Sequence, residues 1–147
     1  MTQEQKDLLL KDLSVRLPYG VKISIPDLWS QNREVEILDE IFKGDDGLWR
    51  VNSKGQCIEY IKPYLFPLSS ISDDQKYDFH CIFIKNDCNF DDFKKFLYNG
   101  MWRRKLLTFT SLYDIEAIID WFHKNHIDYR DLIPMGLAID ATNLNIY

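Results

Sequence analysis

Residues 21 to 25, VKISI, alternate apolar and polar with period two, which predicts a strand with one buried face that Pro26 closes. Before it, Thr2 and Gln5 form a capping-box pattern, and Leu8, Leu9 and Leu13 fall near one face, predicting a helix to about Leu13 that LPYG at 17 to 20 ends. EVEILDEIF, from Glu34, carries Val35, Leu38 and Phe42 at spacings that also suit a helix. The turns that follow favour strands, because KGDDG at 43 to 47 and NSKG at 52 to 55 place Asp, Asn and Gly where hairpins need positive backbone angles. LWRV and QCIEYI are then further short strands. Four strands between about residues 20 and 62 predict a small curled antiparallel sheet of the SH3-like kind.

The prolines at 63 and 67 restrict IKPYLFPLSSIS, residues 61 to 72, to an extended connector that leaves the sheet. Ser72 with Gln75 caps a helix beginning DDQKYDF. FDDFKKFLYNG, from Phe90, has early acids, later lysines and an Asn-Gly stop, the signals of another helix, and KLLTFT at 105 to 110 reads as a strand. Ser111 with Asp114 opens the strongest helix, running to about Lys124, after which Asp128 is placed to cap a further turn. The fold class is α+β in one domain, with a strand-rich lobe over about 14–68 and a helical lobe over about 69–140.

The 147 residues are 46% hydrophobic and 14% aromatic, enough to fill one interior, so disorder is excluded. A net charge of -5 argues against a surface wholly committed to nucleic acid or anionic lipid. No apolar run approaches the roughly 18 residues of a membrane helix, and MTQEQKDLLLKDL is too polar for a signal peptide, so a cytoplasmic protein is expected. Cys57, Cys81 and Cys88 are odd in number and lack C-x-x-C spacing, which favours reduced thiols over disulfides or structural zinc.

Candidate chemistry is sparse. WFHKNHIDYRD at 121 to 131 holds two histidines flanked by aspartates, and a metal-dependent hydrolase would use Asp120, His123 and His126. Helical periodicity instead puts His126 in the middle of the apolar stripe of Ile115, Ile118, Ile119 and Phe122, with His123 at its edge, and no second motif supplies further ligands. No cofactor and no metal are expected. MWRRK places Trp102 beside Arg103, Arg104 and Lys105, a combination able to stack on bases while neutralising phosphates, though such a cluster is more commonly a solvated loop. There is no nucleophile elbow and no phosphate-binding loop, and the Asp45-Asp46 and Asp73-Asp74 pairs fall where turns and helix starts favour acids.

Three stretches, KDLLLKDLSVRLPYGVK at 6 to 22, IKPYLFPLSSIS at 61 to 72 and DWFHKNHIDYRDLIPMGLAID at 120 to 140, resemble a group of small proteins from Bacteroidetes and their phages or prophages. The resemblance implies no catalytic residue. In that group His126 matches a recurrent position and His123 does not, and Phe66 stands where arginine is common. The mobile-element setting implies an accessory role. The leading expectation is a non-enzymatic accessory protein that binds another protein, with Tyr64, Phe66, Trp102 and Arg103 as contacts on exposed connectors. The alternative is a nucleic-acid binder using Trp102, Arg103, Arg104 and Lys105.

Overall fold

Thr2 closes the capping box that opens α1 (Gln3–Arg16): its hydroxyl accepts from the Gln5 backbone N–H, and the Gln5 side chain accepts from the Thr2 N–H. The computed structural model describes residues 1–27, 32–52, 54–83 and 112–147, and within these the side chains of 80–83 and 112–115 are left aside. The helix runs three residues past Leu13, because Asp12 and Arg16, i and i+4 on its inner side, bond to each other. A single 3-10 turn over Leu17–Tyr19 then ends at Gly20, whose φ of 63° is strained for any residue with a Cβ.

The chain divides into two compact units, residues 1–65 with 130–147, and residues 66–129. In the first, β1 (Lys22–Pro26) pairs antiparallel with β2 (Arg33–Ile37) on one side and with the start of β6 (Lys62–Pro67) on the other. The segment β8 (Ile139–Asp140) joins β6 in parallel, Tyr64 facing Ile139. A separate antiparallel sheet is built from β3 (Ile41–Lys43), β4 (Trp49–Val51) and β5 (Gln56–Cys57). The α+β class with small antiparallel sheet structure in the N-terminal half therefore holds, and among the described residues the N-terminal strands are shared between two sheets. The hairpin turns carry the positive φ angles their sequences demand, at Gly47, Asn52 and Gly55.

EVEILDEIF resolves into two strands, β2 and β3, and its only buried apolar residue is Leu38 in the link between them. QCIEYI is strand for two residues and then a 3-10 turn over Ile58–Tyr60. Residues 61–72 are a correction: half of this segment, Lys62–Pro67, is β6, flanked by β1 and β8, and not a connector leaving the sheet. Its prolines are tolerated for a geometric reason. Ile23 faces Pro63 and also Glu36, and the Leu38 N–H to Val21 carbonyl bond shows that the odd residues of β1 direct their backbone groups toward β2. No N–H is thus needed from Pro63 on the β1 side.

Leu9 and Leu13 of α1 pack with Ile23 and Ile25 of β1, Leu65 of β6, Val51 of β4 and Leu132 and Leu137 of the returning segment to form the core of the first unit. Into this apolar interior the fold admits a charge cluster. Arg16 and Asp12 are both fully buried, Arg16 Nε lies 2.7 Å from Asp12 Oδ2, and Arg130 Nη1 approaches Asp12 Oδ1 at 3.4 Å. One carboxylate therefore serves two guanidinium groups.

The second unit holds the end of β6, α2 (Asp73–Phe83), α3 (Leu112–Lys124) and β7 (Ile127–Asp128). Ser72 and Gln75 cap α2 reciprocally, as the sequence predicts. Phe79, Ile118, Phe122, Ile127 and Tyr129 are its buried core, with the Phe122 and Tyr129 rings stacked at 5.5 Å. Asp128, expected to cap a helical turn, lies instead in β7, paired in parallel with Pro67. The helix and strand expected over 90–110 fall outside the described residues. No helix among the described residues is long and apolar enough to cross a membrane.

The buried cluster yields a measurable asymmetry. Asp12→Ala leaves two guanidinium groups facing a vacated carboxylate site and should cost about 3–5 kcal/mol in denaturant unfolding. Asp12→Leu combined with Arg16→Met should unfold at higher denaturant than Asp12→Leu alone, because one of the two guanidinium groups that lose the carboxylate, the fully buried one, is removed with it.

Candidate functional site

The histidine motif separates into two environments. The helix ends at Lys124, so the 100° rotation that would carry His126 onto the apolar stripe does not extend that far. His126 sits instead in a turn with φ of 54°, its N–H bonded to the His123 carbonyl and its own carbonyl accepting from Phe66 N–H. His123 is the buried member, 5% exposed, with Nε2 at 2.8 Å from the Tyr129 hydroxyl. Asp120 lies on the exposed side of α3. The expectation of a core-facing His126 and a marginal His123 is thus reversed, and among the described residues no group of three or more His, Cys, Asp or Glu side chains is placed to hold a metal ion.

Tyr64 and Phe66 also stand elsewhere than expected. Tyr64 is only 8% exposed within β6, and Phe66 is half-buried against the core of the second unit, because β6 is a paired strand and not a solvated connector. Trp102, Arg103, Arg104 and Lys105 lie outside the described residues.

Around Tyr64 the structure has a device that periodicity could not reveal. The register of β1 and β6 would next pair Lys22 with Tyr64, and in that place the Tyr147 hydroxyl accepts from Lys22 N–H at 3.0 Å and donates to the Tyr64 carbonyl at 2.9 Å. A phenol spans the rung. Lys22 Nζ bonds the Ile146 carbonyl and lies 5.5 Å from the Tyr147 ring centroid, which holds the phenol in place.

Among the described residues the strand with most exposed apolar side chains is β2. Val35 is 49% and Ile37 56% exposed, on the face opposite to Glu34 and Glu36. Asp27 N–H bonds the Asn32 carbonyl and Leu38 N–H bonds the Val21 carbonyl, so the even residues of β2 direct their backbone groups at β1 and the odd residues direct theirs outward. Among the described residues β1 is the only strand paired with β2. Among the described residues an edge is therefore presented at Arg33, Val35 and the Ile37 N–H, the Ile37 carbonyl being taken by Asn52.

Both ends of this edge are fixed by side chains. Arg33 folds back across the strand pair, its Nε at 2.6 Å from Ser24 Oγ and Nη2 at 2.7 Å from the Tyr60 carbonyl. Asn52, 3% exposed and held at positive φ, donates from Nδ2 to the Ile37 carbonyl and to Glu36, accepts from Asp39 N–H, and gives its own N–H to the Glu40 carbonyl. Lys54 lies across Glu34 and Glu36, and its ammonium keeps the Glu36 carboxyl below the usual range, with the Asn52 amide adding to the effect. Two carboxylates thereby share one cation, while Asp39 and Glu40 are exposed beyond the strand's end.

Val35 and Ile37 do not stand out in the sequence, because alternation of apolar and acidic residues in EVEI fits a central antiparallel strand as well as an edge. No family model matches the chain, and no solved structure matches it.

Two measurements check this geometry. Asn52→Ala removes the side-chain amide that three groups share, the Ile37 carbonyl, the Glu36 carboxylate and the Asp39 N–H, and should cost about 2–3 kcal/mol in unfolding free energy. Burial of its hydroxyl end pushes the Tyr147 phenol from 10.0 to about 12 although 42% of the residue stays exposed. Since the folded value lies above the unfolded one, the bridge's contribution is complete below about pH 10 and is lost as pH rises toward 12. Tyr147→Phe should lower stability by about 1–3 kcal/mol at neutral pH, and the gap to wild type should narrow across that alkaline window.

Proposed function

We propose that the protein is a non-enzymatic, cytoplasmic accessory protein that binds another protein through the exposed edge of β2. The observation that carries this reading is the coincidence of half-exposed β-branched side chains at Val35 and Ile37 with outward-directed backbone groups at Val35 and the Ile37 N–H, the Ile37 carbonyl being taken by Asn52. Either feature alone is common. Together they match what strand addition uses, since main-chain hydrogen bonds supply affinity and alternate side chains supply selectivity. The contacts in this reading are therefore Val35, Ile37 and the backbone of β2, in place of the buried Tyr64 and half-buried Phe66. Three cysteines without paired spacing support the cytoplasmic part of the reading.

Selection of a random peptide library on the immobilised protein, with Val35→Lys/Ile37→Lys as the counter-target, tests the reading. Peptides enriched on wild type should bind the variant at least roughly tenfold more weakly, as lost apolar cross-strand contacts at two positions require. Enrichment of the same peptides by both proteins, with the variant folded by circular dichroism, would remove β2 from the function.

A further inference from the structure

The face of β2 opposite to Val35 and Ile37 determines which strand the edge can accept. Glu34 and Glu36 are the two side chains on that face between Arg33 and Leu38, and among the described residues Lys54 is the cation bonded to them. The Lys54 side chain remains 50% exposed and that of Glu34 52%, so the Glu34 carboxylate stays reachable from solvent, while Glu36, 23% exposed and bonded to Lys54 and Asn52, adds its charge from beneath. Asp39 and Glu40 add two further acids at the end of the strand, and among the described residues neither forms an ion pair. Arg33, the other cation of the segment, is committed to Ser24 and Tyr60. The edge is negative on one face and apolar on the other.

This pattern disfavours a second copy of the same chain. Outward backbone groups lie at odd positions, so antiparallel pairing of β2 with itself must set odd against odd and even against even. Centring the pair on Val35 brings Glu34 of one copy opposite Glu36 of the other, and shifting the register by two residues in either direction sets a glutamate against its own counterpart. Like charges directly opposite destabilise a strand pair. The same geometry turns favourable when the incoming strand carries Lys or Arg at those positions.

We infer that β2 accepts an extended segment of a partner protein in which β-branched apolar residues alternate with basic ones. The apolar residues pair with Val35 and Ile37, and the basic residues pair with Glu34 and Glu36 and relieve the excess of carboxylate around Lys54. Asp39 and Glu40 extend the attraction to a basic residue following the paired stretch. This inference rests on the edge-binding reading above and adds the partner's chemistry to it.

Three fluorescein-labelled peptides of equal length test it by anisotropy against the full chain: one alternating Val and Lys, one alternating Val and Glu, and one with the Val/Lys composition in two blocks. The alternating Val/Lys peptide should bind roughly tenfold more tightly than either other peptide. Glu34→Gln/Glu36→Gln should erase its advantage over Val/Glu, and Val35→Lys should weaken it, with folding of each variant checked by circular dichroism. Equal binding of the block peptide would show diffuse charge attraction and overturn the inference. If Val/Lys and Val/Glu bind equally but both lose affinity in Val35→Lys, the charge preference is overturned while edge binding stands. If no peptide binds, or sedimentation shows a wild-type dimer that Val35→Lys dissociates, the partner assignment fails.

Discussion

A carboxylate withdrawn from water between two guanidinium groups sets the terms for the first unit. Asp12 contributes no apolar contact, yet it joins Arg16 on its own helix to Arg130, 118 positions later in the chain. Burial of this kind is poor evidence for added stability, because desolvation of the ions offsets much of their attraction. Its effect is to exclude alternatives. A register of α1 rotated away from the sheet would separate Asp12 from Arg130 and take Leu9 and Leu13 out of the core they share with Ile23. The cluster thereby fixes which face of α1 looks inward and requires the segment from Arg130 to return to it.

The local elements were legible where the chain advertises them within a few residues. The capping boxes at Thr2 and Ser72, the strand at VKISI and the hairpin turns through Gly47, Asn52 and Gly55 all appear in the structure, since each depends on side chains near its own backbone. Longer-range arrangement was not legible. Two prolines made residues 61–72 read as a connector, whereas backbone polarity on the β1 side needs no N–H from Pro63, and the segment is a flanked strand. The lobe expected to run to residue 140 also ends earlier, at Tyr129, because Leu132 and Leu137 pack into the first core.

The candidate surface shows the same division. Apolar residues in EVEI were visible, but whether Val35 faces a core depends on what lies beyond β2, which no local pattern records. The histidine pair failed for a simpler reason. Extrapolating helical rotation two residues past Lys124 exchanged the surroundings of His123 and His126, since the turn at His126 redirects the chain and Ile127 takes the buried position. Tyr147 could not have been found at all by pattern, because its hydroxyl substitutes for a backbone rung between residues 22 and 64.

The division of the chain has a further consequence for how the protein is made. Residues 66–129 lie between the two segments that compose the first unit, so a ribosome delivers α1 and all the antiparallel strands well before Leu132, Leu137, β8 and Tyr147 emerge. Until then β6 lacks its pairing with β8 and the first unit lacks the last of its core residues. The intervening unit brings its own core of Phe79, Phe122 and Tyr129 and can be completed first, while the earlier strands wait with apolar surface uncovered. Order of synthesis and order of completion are therefore inverted in this chain.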